Sequence, residues 1–198
     1  MSTVFNFTFV PWFRAVAPYI HMHRGKTFVV GVVGEAIAAG KLGNIATDLA
    51  LIQSMGVKIV LVHGFRPQVN EQLQAKGHEA RYSHGLRITD DVALDCAQEA
   101  AGQLRYEIEA AFSQGLPNTP MAGPKVRVIS GYFLTARPMG IIDGVDFRHT
   151  GVVRKVDATG IRHSLDSGAM VLISPFGFSP TGEAFNLRME EVATSVAI

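Results

Sequence analysis

A single cysteine, Cys96, stands in 198 residues. Without a second thiol neither a disulfide framework nor a thiolate zinc cluster is available, so a reducing compartment is expected, with the cytoplasm as the default. No apolar run approaches the ~20 residues that a membrane-spanning helix needs. The opening stretch VFNFTFVPWFRAVAPY is apolar and its AVA mimics a signal-peptidase site, yet the first cation, Arg14, lies behind the apolar region rather than ahead of it. A soluble protein is expected. Charge of one sign is also missing: a net charge of +1 gives no electrostatic footprint for nucleic acid. The sequence has no internal repeat, low-complexity segment or interdomain linker. What it does have is 47% hydrophobic and 18% charged residues, the balance of a well-packed globular chain with one sizeable core.

Residues 11–23, PWFRAVAPYIHMH, set Phe13, Val16 and Ile20, with Tyr19 beside them, along one helical stripe. Pro18 inside that stripe predicts a short or kinked amphipathic helix. A β-branched run predicts a strand at 27–33, followed by a helix at 44–54 with Gly56 as its stop. VKIVLVHG is a second buried strand ending at Gly64, and PQVNEQLQAKG is helical with Pro67 in its first turn. HEARYSHGLRITDD is loop or hairpin, and Thr89 or Asp90 can cap a long helix at 91–113. PKVRVIS, GYFLTARPMG and HTGVVRKVD are strand-like; then come the helix ATGIRHSLDSG, the strand AMVLISPFGF and a helix starting near Met189. Strands alternating with helices predict an α/β fold, a three-layer α/β/α sandwich with a mainly parallel sheet. The apolar EEVATSVAI lacks a cap or polar tail, so the chain is expected to be part of a longer protein.

Few residues advertise chemistry. GEAIAAGK imitates a phosphate-binding Walker loop but has five residues between its glycines instead of four, and Leu42 stands where a magnesium-binding hydroxyl belongs. GVVG lacks the third glycine of a dinucleotide fingerprint. His21 and His23, two apart on a helix, point to different faces; with Arg24 and Lys26 they complement the helix dipole rather than bind metal. Glu107 and Glu109 diverge likewise, and neither Ser130 nor Cys96 lies in a nucleophile motif. No metal site is expected.

The order of VVGVVGEA, LVHGFRPQVN, GLRITD, VDFRHTGVVRKVD and PTGEAFNLRMEEVA is more specific than any one of them. Together, from about Phe13 to the last residue, they resemble the amino-acid kinase superfamily, and within it the kinase-like domain of the bacterial N-acetylglutamate synthases. The resemblance implies an N-terminal segment and helix at 1–24 and a partial kinase-like domain at 25–198, lacking both the nucleotide-binding half and the acetyltransferase domain. It also implies a parent enzyme of arginine biosynthesis that transfers acetyl from acetyl-CoA to L-glutamate under L-arginine feedback, with no catalytic residue and no cofactor in this chain.

Laid on these residues, the kinase pattern has lost its catalyst. Gly31 stands where active acetylglutamate kinases carry the lysine that offsets charge on the transferring phosphoryl group, a major term in such reactions. Phe65 and Arg66 interrupt the glycine-rich loop, and Glu190 replaces the organising aspartate. A substrate- or effector-like pocket of Gly34, Gly64, Arg66, Arg87 and Asn186 is implied, with Arg87 gripping a carboxylate. Arg87 has a competing reading as a surface ion pair with Asp90 or Asp91, and Asn186 as a turn or helix-cap residue. Tyr19 is a candidate contributor to an arginine site. The first helix, with Phe5, Phe7, Phe9, Trp12 and Phe13 nearby, is expected to join copies into a homo-oligomer. Two alternatives stay open: an acetylglutamate kinase using a displaced cation, and a free-standing effector-binding module.

Overall fold

The computed structural model describes residues 9–114 and 126–198; Phe5, Phe7 and the first residues of PKVRVIS lie outside them. The chain opens with α1 (Phe9–His23), β1 (Thr27–Val32), the short α2 (Gly34–Ala38), α3 (Leu42–Ser54), β2 (Lys58–His63) and α4 (Arg66–Ala75). A hairpin of β3 (Tyr82–Ser83) and β4 (Leu86–Arg87) leads into α5 (Asp91–Ser113). Then follow β5 (Val128–Ser130), β6 (Leu134–Pro138), the hairpin β7 (Ile141–Ile142) and β8 (Val145–Asp146), and β9 (Gly151–Val156). The last described elements are α6 (Ala158–Asp166), β10 (Met170–Ile173), β11 (Phe176–Phe178), β12 (Ala184–Asn186) and α7 (Met189–Ala197).

A parallel sheet of order β1-β2-β10-β5 forms the middle layer. Its central strand shows why: the continuous apolar run of β2 is buried on both faces, as a covered parallel strand must be. Ile59 and Leu61 pack with Leu49 of α3, Leu73 of α4 and Leu104 and Ile108 of α5, whereas Val60 and Val62 pack with Ile161 and Leu165 of α6 and Val192 of α7. The period-2 alternation of a strand thus feeds two helical layers, and the sandwich is the expected one. α5 starts where its cap dictates: Asp90 Oδ1 accepts the Ala93 N–H at 2.9 Å.

The structure sharpens some local expectations and corrects others. α1 runs unbroken from Phe9 to His23 through Pro18; none of its side chains is buried, so the carbonyl that Pro18 leaves without a donor stays within reach of water. AMVLISPFGF is not one strand, because Pro175 removes a donor and divides it into β10 and β11, which join different sheets. A second, mixed sheet of order β12-β11-β6-β9, with antiparallel β11–β12 and β6–β9 pairs, was not anticipated. HEARYSHGLRITDD is a hairpin whose turn residues His84 and Gly85 take φ of 51° and 73°. Asp143 and Gly144 turn the β7–β8 hairpin in the same way, at 50° and 77°.

Candidate functional site

The turns after β1 and β2 lie against one another at the C-terminal ends of these neighbouring parallel strands. A Cβ on Gly64 would stand 2.9 Å from the Gly34 backbone nitrogen, and one on Gly34 would stand 2.8 Å from Pro67 Cδ. The Gly64 N–H donates to Val32 O at 2.7 Å, and Gln68 Nε2 donates to Gly34 O at 3.1 Å, closing the contact. Here both glycines answer to close backbone approach. The turns open into a small, half-open cleft of about 180 Å³. It is lined by the first residues of three helices: Gly34 and Glu35 of α2, Arg66 of α4, Met189 and Glu190 of α7. The residues preceding these helices, Val33, Phe65 and Arg188, give no side-chain cap, so backbone N–H groups at all three starts are left for other acceptors.

Arg87, at the end of the β3–β4 hairpin, forms part of the cleft wall and is only 8% exposed. Burial pushes its pKa below the usual guanidinium value; the Tyr82 hydroxyl opposes that shift and Arg66 reinforces it. Nη2 donates to Asn70 Oδ1 at 2.6 Å, while Nη1 is buried without a partner. Tyr82 carries both arginines over its ring, Arg66 at 5.0 Å and Arg87 at 5.1 Å from the centroid. The surface ion-pair reading of Arg87 is thereby corrected. Asp90 is taken by His78 at 2.9 Å, besides its helix cap, and Asp91 by His149 at 2.9 Å. Among the described residues no carboxylate pairs with Arg87.

Asn186 is neither a turn nor a cap residue but the last residue of β12, buried and lining the same cleft. Its Nδ2 donates to Thr89 Oγ1 at 3.0 Å. Thr150 Oγ1 spends its one proton on Arg87 O at 2.6 Å, so Thr89 must be the donor in the 2.8 Å Thr89–Thr150 hydroxyl contact. The Thr89 N–H also reaches Thr150 Oγ1 at 3.2 Å. This chain of bonds ties the backbone of Arg87 to the side chain of Asn186.

The remaining expected positions divide. Gly34, Gly64, Phe65, Arg66, Arg87, Asn186 and Glu190 all line the one cleft. Gly31 does not: a Cβ there would lie 3.0 Å from Met189 Sδ, so methionine fills the space that a lysine side chain would have to enter. Tyr19 does not line the cleft either; it is exposed on α1. Sequence reasoning missed Tyr82, Asn70, Met189 and Arg188; Asn70 had a signal, four residues after Arg66 and hence on the same helical face. Among the described residues, no three His, Cys, Asp or Glu side chains are grouped to hold a metal, and no helix is long and apolar enough to cross a membrane.

Residues 26–198 match the amino acid kinase family. The chain is 60% identical over 189 residues to the amino-acid acetyltransferase of Ralstonia nicotianae, covering 96% of this chain and 42% of that protein. It is 51% identical to the amino-acid acetyltransferase of Pseudomonas fluorescens strain Pf-5, covering 96% of this chain and 44% of that one. Among solved structures it is similar to N-acetylglutamate synthase from Neisseria gonorrhoeae complexed with coenzyme A and L-arginine: TM-score 0.89, 42% identity, 96% of this chain and 44% of that chain. The chain therefore spans about two fifths of the length of the curated relatives it matches.

Proposed function

Because the chain belongs to the amino acid kinase family, we propose that its cleft is a carboxylate-binding site of kinase descent without phosphoryl transfer, within a protein that makes N-acetylglutamate. The observation that carries the reading is Arg87: a buried guanidinium with an unpartnered Nη1, beside three uncapped helix starts. An acylated amino acid such as N-acetyl-L-glutamate supplies carboxylate oxygens for both kinds of donor. Phosphoryl transfer rests on electrostatic stabilisation by well-placed cations, and Met189 fills the space at Gly31 where the resemblance puts the lysine. Acetyl transfer from acetyl-CoA to L-glutamate is assigned to the part of the relatives that this chain does not span. Residues 25–198 then form a partial kinase-like domain, with residues 1–24 as a separate N-terminal segment.

Calorimetry tests the cleft. Arg87→Ala is expected to remove a charge-assisted contact of about 1.5–3 kcal/mol, roughly a tenfold or larger loss of N-acetylglutamate affinity. Equal affinity in the two proteins would remove Arg87 from the binding site.

The same proposal includes assembly and effector binding through α1. Phe9 stacks on Phe13 with ring centroids 6.0 Å apart, and Phe9, Trp12, Phe13, Tyr19 and Met22 are all exposed. A second copy of the helix is the occupant proposed for this apolar surface. L-Arginine, bound by the Neisseria protein, is proposed to meet Tyr19 beside that contact. Trp12→Glu should shift the light-scattering mass toward the monomer; an unchanged mass would remove α1 from the assembly.

A further inference from the structure

Arg87 is held by an amide and not by a carboxylate. Its Nη2 bond to Asn70 Oδ1 is short, 2.6 Å, and the same oxygen accepts the Tyr82 hydroxyl at 2.9 Å. Asn70 and Tyr82 therefore act on one another as well as on Arg87: the hydroxyl fixes which way the amide oxygen points, and the ring packs against the guanidinium. Asn70 itself is exposed on α4, where a carboxylate could be solvated. An aspartate there would place an oxygen in the same position and turn a bond between a cation and a neutral amide into an ion pair. A guanidinium buried beside a second arginine would be stabilised by it. The amide instead leaves the positive charge uncompensated, and Nη1 still lacks any partner in the protein.

We propose that Asn70 and Tyr82 are positioning residues which form a neutral clamp on Arg87, fixing its guanidinium while reserving its charge for the carboxylate of a ligand in the cleft. This rests on the carboxylate-binding reading above. The clamp makes the site selective for anions: neutral amides of the same shape leave the Arg87 charge unpaired and gain little. Asn70 is a specificity determinant because the choice between amide and carboxylate at this one atom decides whether the arginine arrives at the ligand charged or already neutralised.

The test uses the 198-residue chain, with N-acetyl-L-glutamate as the probe in calorimetry and thermal melting as an independent measurement. Asn70→Asp is expected to raise Tm while weakening binding about tenfold or more. These changes have opposite signs, and loss of packing alone produces no such combination. Asn70→Ala and Tyr82→Phe are expected to weaken binding several-fold without raising Tm. An Asn70→Asp protein with unchanged affinity, or with Tm equal to or below that of the parent, overturns the clamp. If the parent chain itself binds no N-acetylglutamate, the carboxylate reading fails, and the melts alone then decide the clamp: an Asn70→Asp protein no more stable than the parent still overturns it.

Discussion

Lowering the pH from about 6.5 to about 4 will cost the folded chain about 3 kcal/mol through His63 alone, at about 1.36 kcal/mol per pKa unit. His63 ends β2 and is fully buried beneath the turn at Gly64. Burial pushes its pKa from 6.5 to about 4, against the opposing pull of its hydrogen bond to Gly64. Nδ1 lies 3.4 Å from Gly64 O, a carbonyl that can only accept, so the ring proton sits on Nδ1 and Nε2 accepts the Ser174 hydroxyl at 2.7 Å. Between the two pKa values the unfolded chain binds a proton that the folded chain refuses. Stability therefore rises with pH across this window and falls as the pH drops through it, with no further His63 contribution below about 4. Urea melts of the parent and of His63→Gln at pH 4.5–7.5 isolate the effect, since titrating carboxylates are common to both. Parallel stability–pH curves would show that His63 does not carry it.

Gly64→Ala should cost about 1–3 kcal/mol or more, as overpacking against rigid backbone does. Its methyl would stand 2.9 Å from Gly34 N, which cannot rotate away as a side-chain tip could. Gly34→Ala should cost a similar amount, with Pro67 Cδ at 2.8 Å and Phe65 N at 3.1 Å. The pair will not add: once one methyl has pushed the turns apart, the second enters space already opened, so the double variant should lose less than the sum. Denaturant melts of the four proteins in this cycle measure the coupling, and strict additivity would mean that the turns do not share one contact.

The regular parts of this fold were legible because each carried its own local signal. α5 follows its expected bounds, since Asp90 supplies a cap and a long apolar period does the rest; β2 announces itself as a continuous buried run. In the second sheet β6 and β9 were legible as strand-like stretches, but their pairing with β11 and β12 left no trace. Its strands span only three to six residues, and its pairings are decided by tertiary contact rather than by periodicity. One signal was present and overlooked: Asp143-Gly144, between Ile142 and Val145, is a type I′ hairpin sequence. In the cleft, the glycines, both arginines and Asn186 were visible through a resemblance of motifs. The partners of Arg87 were not, because nothing in a linear sequence says that Asn70, Tyr82, Thr89 and Thr150 meet around it.

The position of β10 between β2 and β5 sets a timetable for the nascent chain. β2 finds its partner on one side early, from β1, but its other edge waits for residues 171–173, about 110 positions later. At roughly 5–20 residues per second, the ribosome takes on the order of 5–20 seconds to supply them. Throughout that interval a strand with four consecutive apolar residues presents an open ladder of N–H and C=O groups, and long-range parallel pairing is slow even after the strand arrives. Synthesis rate and chaperone capacity, rather than the depth of the final energy minimum, will govern how much of this protein reaches its native sheet order.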